Sequence, residues 1–154
     1  YDIVLKAQLD AIKVIKPGTP WDEPHNVTVR VITQGLVDLG LLKGDVQDLI
    51  KSEAYKAFYM HRAGHWLGID VHDVGDYKID DKWRLLEPGM VTTIEPGIYV
   101  APDNMDVAKK WRGIGIRIED DVLVTRTGHR VLSHGVPKMV DEIESFMAQA
   151  LAAA

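Results

Sequence analysis

Apolar side chains recur every three or four positions near the start of the chain. Within residues 2–15 they are Val4, Ala7, Ala11, Val14 and Ile15. This spacing places them on one face of an amphipathic helix. The helix should end at residues 16–20, because the segment Lys-Pro-Gly-Thr-Pro favours a turn.

Two further helices are predicted before residue 60. The second begins near Pro24 and ends at Gly40, which suits a carboxyl-terminal cap. Its inward-facing apolar residues are Val27, Val31, Leu36 and Leu39. The third opens with Asp45 as its N-cap and runs toward Phe58. Its apolar residues are Val46, Leu49 and Ile50.

The second half of the chain changes from helical spacing to strand patterns. Residues 90–95 form a largely apolar run between two Pro-Gly pairs, which predicts a strand. Residues 113–125 alternate and then become apolar, so they predict a pair of strands or one bent strand. A closing helix is predicted from about Val140. Helices followed by strands favour an α+β fold over alternating βαβ units.

Composition narrows the kinds of chemistry that are possible. A length of 154 residues favours one domain, residues 1–154. The net charge of −5 argues against a partner that is a nucleic-acid backbone. No apolar run approaches the roughly 18 residues needed to cross a membrane. Because there is no cysteine, any chemistry must rest on histidines, carboxylates and arginines.

Three of the six histidines lie between residues 61 and 72, in a stretch punctuated by glycines. His61 and His65 are spaced as on one helical face, but the glutamate of the HExxH zinc motif is missing. Gly64 also weakens a helix there, which favours loop and strand. Each histidine alone is explained by a surface or structural role. The three histidines together (His61, His65 and His72) favour a functional site.

Two carboxylates and an arginine lie at the ends of the predicted strands. Glu95 closes an apolar run before Pro96-Gly97, where its side chain either points at a ligand or is solvated in a turn. Arg117 and Glu119 share one face of a strand and three isoleucines share the other. That face fits a polar pocket and also an exposed sheet surface with an ion pair.

Taken together and in order, these motifs resemble the creatinase/aminopeptidase metallohydrolases, whose fold is called pita-bread. The matching segments are residues 61–75, 93–97 and 115–121. Within that family the similarity is greatest to the Xaa-Pro aminopeptidases (the aminopeptidase P group). The resemblance implies hydrolysis of an amino-terminal Xaa-Pro bond by a hydroxide that bridges two metal ions. Peptides with proline at the second position would be the partners.

The resemblance also implies which residues act on metal and substrate. His65, Glu95 and Glu119 would bind two divalent ions, typically Mn²⁺, with Glu119 bridging both. His61 and His72 would be catalytic imidazoles that contact the substrate.

Two further roles follow from the resemblance. Arg117 would be a catalytic-site residue that orients nearby carboxylates. Tyr99 would be a substrate-binding neighbour of the site.

The family takes two aspartate ligands from a strand hairpin that this sequence does not contain. We therefore expect the chain to be the C-terminal portion of a pita-bread catalytic domain, cut from a longer protein. About five donor positions remain where two ions need roughly twelve. The chain alone is therefore expected to be an incomplete, inactive metal site.

Two alternatives to an Xaa-Pro aminopeptidase remain open at this point. The parent protein is either an Xaa-Pro aminopeptidase or a prolidase, which cleaves only dipeptides. A non-enzymatic pita-bread module that binds peptides or proteins is a third interpretation, and the retained histidines and carboxylates argue against it. For the parent, the expected assembly is a homo-oligomer and the expected location is the cytoplasm.

Overall fold

The computed structural model describes residues 1–152. Its helices are α1 (Asp2–Lys13), α2 (Glu23–Asp38), α3 (Val46–Lys51) and α4 (Val140–Ala152). Its strands are β1 (Lys78–Ile79), β2 (Lys82–Trp83), β3 (Val91–Ile94), β4 (Gly97–Tyr99), β5 (Gly115–Arg117), β6 (Asp120–Val124) and β7 (His129–Val131). All strand pairs are antiparallel, so the α+β prediction is confirmed. Within residues 1–152, no helix is both long and apolar enough to cross a bilayer.

Helices α1 and α2 pack against each other and then against the strands. The buried residues fall into two clusters, and each contains side chains from both helices and from the strands. Val4 and Ile32 lie with Ile118 in the first cluster. The helices approach closely at Gly35, where a Cβ atom would collide with the side chain of Ile3. The helix pair therefore forms a layer that covers one face of the strands.

The first two predicted helices are confirmed, with one error in orientation. Gly40 follows α2 with φ of 72°, and the Leu41 amide donates to the Leu36 carbonyl at 2.8 Å. These features define a Schellman cap, which explains why glycine stands there. Leu39 was predicted to face inward, but it lies beyond the last helical residue and is exposed.

The third helix begins as predicted but is much shorter. The Asp45 carboxylate accepts hydrogen bonds from the amides of Gln47 and Asp48, which confirms the N-cap. The helix ends at Lys51 rather than near Phe58, because Glu53 adopts a left-handed conformation with φ of 57°. A 3₁₀ turn follows at Ala54–Ala57. The change of direction buries the rings that follow, whereas α3 itself buries no residue.

The strand predictions are confirmed where the apolar pattern is strong. Strand β3 lies inside residues 90–95, and β5 and β6 form the pair predicted within residues 113–125. Three short features were not predicted: strand β4, strand β7 and the β1–β2 hairpin. The hairpin turns at Asp80 and Asp81, whose φ angles of 49° and 59° are those of a type I′ turn. Helix α4 confirms the predicted closing helix.

One strand register runs through two ladders and sets the position of the glutamates. Strand β3 pairs with β6 so that Ile94 lies opposite Asp120, and β4 pairs with β5 so that Gly97 lies opposite Arg117. Both ladders follow the same register. Continuing it through the break between them places Glu95 opposite Glu119.

Residues 63–67 lie along the other edge of β3. The Thr93 amide donates to the His65 carbonyl at 3.1 Å, and the Glu95 amide donates to the Ala63 carbonyl at 2.6 Å. Gly64 is required for this close pairing, because a Cβ atom there would collide with the Thr93 carbonyl. The histidine motif therefore borders β3 as an irregular strand, as the loop-and-strand interpretation predicted.

A buried polar cluster anchors the chain immediately after Glu119. Asp120 is 2% exposed and accepts hydrogen bonds from Ser133 Oγ at 2.5 Å and Lys138 Nζ at 3.0 Å. Its other carboxylate oxygen accepts from Gln8 on α1. Side chains from α1 and from residues 133–138 thus hold the start of β6 in place.

We predict that Asp120→Ala lowers the free energy of unfolding by about 3–5 kcal/mol, because it removes the buried carboxylate that pairs with Lys138 and leaves the buried amide group of Gln8 without its acceptor. Urea unfolding followed by tryptophan fluorescence measures this change. The control is Asp10→Ala, which removes an exposed ion pair with Lys6 and Lys13 and should cost less than about 1 kcal/mol. Equal losses in the two variants would contradict the anchoring role.

Candidate metal centre

Three ligand-type side chains meet at the break in the strands. His65, Glu95 and Glu119 each offer an atom within 4.8 Å of the others. Within residues 1–152, this is the only group of three or more His, Asp or Glu residues arranged in this way. The three come from the segment beside β3, from the end of β3 and from the residue before β6. The structure therefore brings together the three residues that the resemblance implied as metal ligands.

The orientation of His65 is set by its own backbone. Its Nδ1 lies 2.8 Å from the Trp66 carbonyl oxygen, which can only accept, so Nδ1 must carry the proton. In the neutral ring, Nε2 then holds a free lone pair, and it lies 3.2 Å from Glu95 Oε1. A backbone carbonyl that fixes the tautomer of a histidine is the usual support for a metal ligand.

Glu95 is held by a threonine that sequence reasoning did not single out. Thr93 Oγ1 donates to Glu95 Oε1 at 3.1 Å and accepts from the His65 amide at 3.1 Å. Thr93 lies on β3 and Glu95 directly follows the strand two positions later, so their side chains point to the same face. This i, i+2 spacing was the available signal for Thr93. Arg117 Nε also approaches Glu95, at 3.7 Å from Oε2.

The two opposed carboxylates repel each other. Burial raises the pKa of Glu119, and the negative charges of Glu95 and Asp121 act in the same direction. The charges of His65 and Arg117 partly oppose the rise. A divalent cation between the carboxylates would remove this repulsion.

Arg117, Tyr99 and His61 form a line of hydrogen bonds beside the carboxylates. Arg117 Nε donates to Tyr99 Oη at 2.7 Å, and Tyr99 Oη lies 2.9 Å from His61 Nε2. His61 Nδ1 donates to the Arg62 carbonyl at 2.7 Å, so Nε2 of the neutral ring accepts from Tyr99. Burial lowers the pKa of Arg117, but the hydrogen bond to Tyr99 and the charges of nearby carboxylates more than offset this effect.

The buried residues Tyr59 and Thr28 support His61, and the sequence pattern did not reveal them. The Tyr59 ring meets the His61 ring edge-on at 5.0 Å, and Tyr59 Oη bonds with Thr28 Oγ1 at 3.1 Å. His25 lies beside Tyr59. Burial, aided by the charge of Arg62, lowers the pKa of His25 to about 4. His25 is therefore neutral near pH 7.

His72 lies next to the cluster but outside it. Its ring is 4.3 Å from the His65 ring, measured between centroids, in an edge-on arrangement. His72 is exposed and does not belong to the group of three converging ligand atoms.

The donor set fits a divalent cation. One imidazole lone pair and two carboxylates are typical ligands for such an ion, and their combined charge balances one dication. The aspartates near the motifs serve other purposes. Asp73 accepts hydrogen bonds from the amides of Ile69 and Val74 in a turn, and Asp120 is buried in the anchoring cluster.

Known proteins identify the class of this arrangement. Residues 1–126 match the family model of the metallopeptidases, family M24, and the chain therefore belongs to that family. The structure of aminopeptidase PepP from Pseudomonas aeruginosa superposes with a TM-score of 0.97 at 66% identity, over 99% of this chain and 34% of that one. This match confirms the pita-bread fold expected from the resemblance.

Two further relatives show the same extent of similarity. The Xaa-Pro aminopeptidase of Haemophilus influenzae is 53% identical over 96% of this chain and 34% of its own length. A zinc-substituted aminopeptidase P of Escherichia coli, in complex with product, has a TM-score of 0.92 at 51% identity, over 97% of this chain and 34% of that one. The chain thus spans about one third of the length of these relatives.

We predict that the 154-residue chain binds at most one Mn²⁺ ion, with a dissociation constant weaker than about 10⁻⁴ M, because three protein donors leave most positions to water. Calorimetric titration measures the stoichiometry and affinity. Glu119→Gln should abolish the binding, whereas Glu142→Gln on the exposed side of α4 should leave it unchanged. Two tightly bound ions would show that another carboxylate of the chain completes the site.

Proposed function

We propose that this chain forms the metal-binding, carboxyl-terminal part of the catalytic region of an Xaa-Pro aminopeptidase. Such an enzyme hydrolyses the bond between the first residue of a peptide and a following proline. The observation that carries the proposal is the convergence of His65, Glu95 and Glu119 beside the hydrogen-bonded line from Arg117 to His61. The names of the relatives support the same activity.

The proposed cofactor is a pair of Mn²⁺ ions, which His65, Glu95 and Glu119 would hold together with ligands from outside this chain. Carboxylate oxygens with a single imidazole suit manganese better than a thiolate-rich zinc site does. Bound divalent ions would lower the pKa of water and polarise the scissile carbonyl group. The zinc-substituted relative shows that metal exchange is a practical test of this assignment.

Residues of this chain would position the substrate around that centre. The Tyr99 hydroxyl lies 2.9 Å from His61 Nε2, so the hydrogen bond between them fixes the orientation of the His61 ring. Arg117 holds Tyr99 and the Glu95 carboxylate at once, and it therefore orients both. These contacts keep the polar wall of the site in one arrangement.

His72 is placed to contact the substrate rather than an ion. It is exposed, and its side chain makes no hydrogen bond to any other residue in the described part of the chain. Hydrolysis adds the oxygen of water to the carbonyl carbon, breaks the C–N bond and requires a proton on the prolyl nitrogen. An imidazole is the side chain best suited to deliver that proton near neutral pH.

The partner, the assembly and the location belong to the same proposal. The substrates would be peptides with proline at the second position, whose tertiary amide lacks an N–H group. A homo-oligomeric parent rests on the family resemblance. A cytoplasmic location is supported by the complete absence of cysteine from this sequence, since no disulfide is needed.

We predict that Glu119→Gln in the complete natural protein lowers kcat/KM for an Xaa-Pro tripeptide by about 10³-fold or more, together with loss of bound metal. The amide cannot supply two anionic oxygens opposite Glu95. Peptide hydrolysis and metal analysis measure the two effects, and Glu142→Gln serves as the control. Cleavage of matched Xaa-Ala peptides at equal rates, or of dipeptides alone, would contradict the proposed specificity.

A second prediction separates His72 from the metal ligands. His72→Ala should lower kcat/KM by about 10²-fold while the metal content stays at the wild-type value. The same preparation should be analysed for both quantities. Loss of an ion from this variant would show that His72 is a ligand and that its role in proton transfer is wrong.

A further inference from the structure

A groove opens beside His65, and neither Arg117 nor Tyr99 lines it. Its volume is about 540 Å³. The residues that line it are Arg62, Gly64, His65, Tyr77, Lys78 and Trp83. His65 thus borders both the candidate metal centre and this groove, so a ligand at the centre can extend into the groove.

Two cations are held against one indole ring in the groove. The Arg62 guanidinium carbon lies 4.7 Å from the centroid of the Trp83 ring, and Lys78 Nζ lies 4.6 Å from it. Lys78 and Trp83 are directly opposed across the β1–β2 hairpin, so the tight turn keeps the ammonium over the ring. Cation–π contact positions both charges without neutralising them.

Neither cation has an anionic partner. In the part of the chain that the structure describes, no carboxylate lies within 4.0 Å of Arg62 or Lys78, whereas nearby Lys56 is paired with Glu53. Burial is the main cause of the lowered pKa of His25, and the positive charge of Arg62 adds to the effect. The groove is therefore a positively charged pocket within a chain of net charge −5.

We infer that Arg62 and Lys78, positioned by Trp83, bind a carboxylate on the downstream side of the substrate peptide. The inference deepens the proposed function and rests on it. The free amino group of a peptide is positive and is repelled from this groove, so the amino end must lie on the other side of His65. A downstream acidic side chain or the terminal carboxylate matches the charge, and a guanidinium accommodates either in a bidentate pair.

The test uses the complete, manganese-loaded protein and peptides of the form Ala-Pro-Ala-Ala-Ala. In one series the peptide carries Glu or Gln at position 3, 4 or 5 and its carboxyl terminus is amidated. The other series compares the unsubstituted peptide with a free carboxyl terminus and with an amidated one. We expect at least one carboxylate position to lower KM about 10-fold relative to its neutral match. The two series distinguish a side-chain carboxylate from the terminal one.

The variants are Arg62→Gln, Lys78→Gln and the double variant, with Lys82→Gln as the matched control. Lys82 belongs to the same hairpin, but adjacent strand residues point to opposite faces, so it lies away from Trp83. The preference for the carboxylate should fall in the Arg62 and Lys78 variants, whereas the Lys82 variant should keep both the preference and the wild-type kcat for neutral peptides. The Arg62→Lys variant should keep part of the preference that Arg62→Gln loses.

Equilibrium binding separates this inference from the proposed activity. Calorimetry with the product peptides Pro-Ala-Ala-Glu amide and Pro-Ala-Ala-Gln amide, and with the acid and amide of Pro-Ala-Ala-Ala, gives the preference without turnover. If no Xaa-Pro peptide is hydrolysed but the Arg62-dependent preference for a carboxylate remains, the proposed activity is wrong, whereas the assignment of the groove as a carboxylate site is supported. If hydrolysis occurs without any carboxylate preference, or the preference survives in the double variant, the groove assignment is overturned.

Discussion

The opposition of two glutamates across a break in one strand register is the constraint on which this structure depends. Glu95 and Glu119 face each other because the β3–β6 and β4–β5 ladders share a register. Burial raises the pKa of Glu119, and the negative charge of Glu95 adds to the rise, so ionising both carboxylates costs free energy. A fold tolerates this arrangement only when packing elsewhere holds the backbone in place, and when the site serves a ligand that relieves the repulsion.

The surrounding structure supplies that support from three directions. Asp120, the residue after Glu119, is anchored to α1 and to residues 133–138, because both oxygens of its buried carboxylate accept hydrogen bonds from these segments. Thr93 links Glu95 to the backbone of His65, so that two candidate ligands share one hydroxyl group. The helix pair covers the opposite face of both strand pairs. Movement of either glutamate would therefore disrupt several hydrogen bonds at once.

Much of this arrangement could be predicted from local patterns, and the rest depends on contacts between distant segments. The apolar periodicity predicted α1, α2 and α4, and the motifs identified His65, Glu95 and Glu119. The early end of α3 was not predicted, because the left-handed Glu53 serves to bury rings further along the chain. The β1–β2 hairpin is too short to show alternation, and its Asp-Asp turn lacks the glycine that usually reveals a type I′ turn. Thr93 gained its role only when residues 63–67 paired with β3.

The positive charges near His65 differ in their surroundings, and this difference bears on how a peptide would be oriented in the site. The Arg117 guanidinium donates to Tyr99 and lies 3.7 Å from the Glu95 carboxylate, so it has an anionic neighbour. By contrast, Arg62 and Lys78 lie over Trp83, and no carboxylate among residues 1–152 lies within 4.0 Å of either. A peptide is itself a dipole, positive at its amino end and negative at its carboxyl end. Its energy near Arg62 and Lys78 depends on its orientation, so this distribution of charge would favour one direction of a bound peptide over the other.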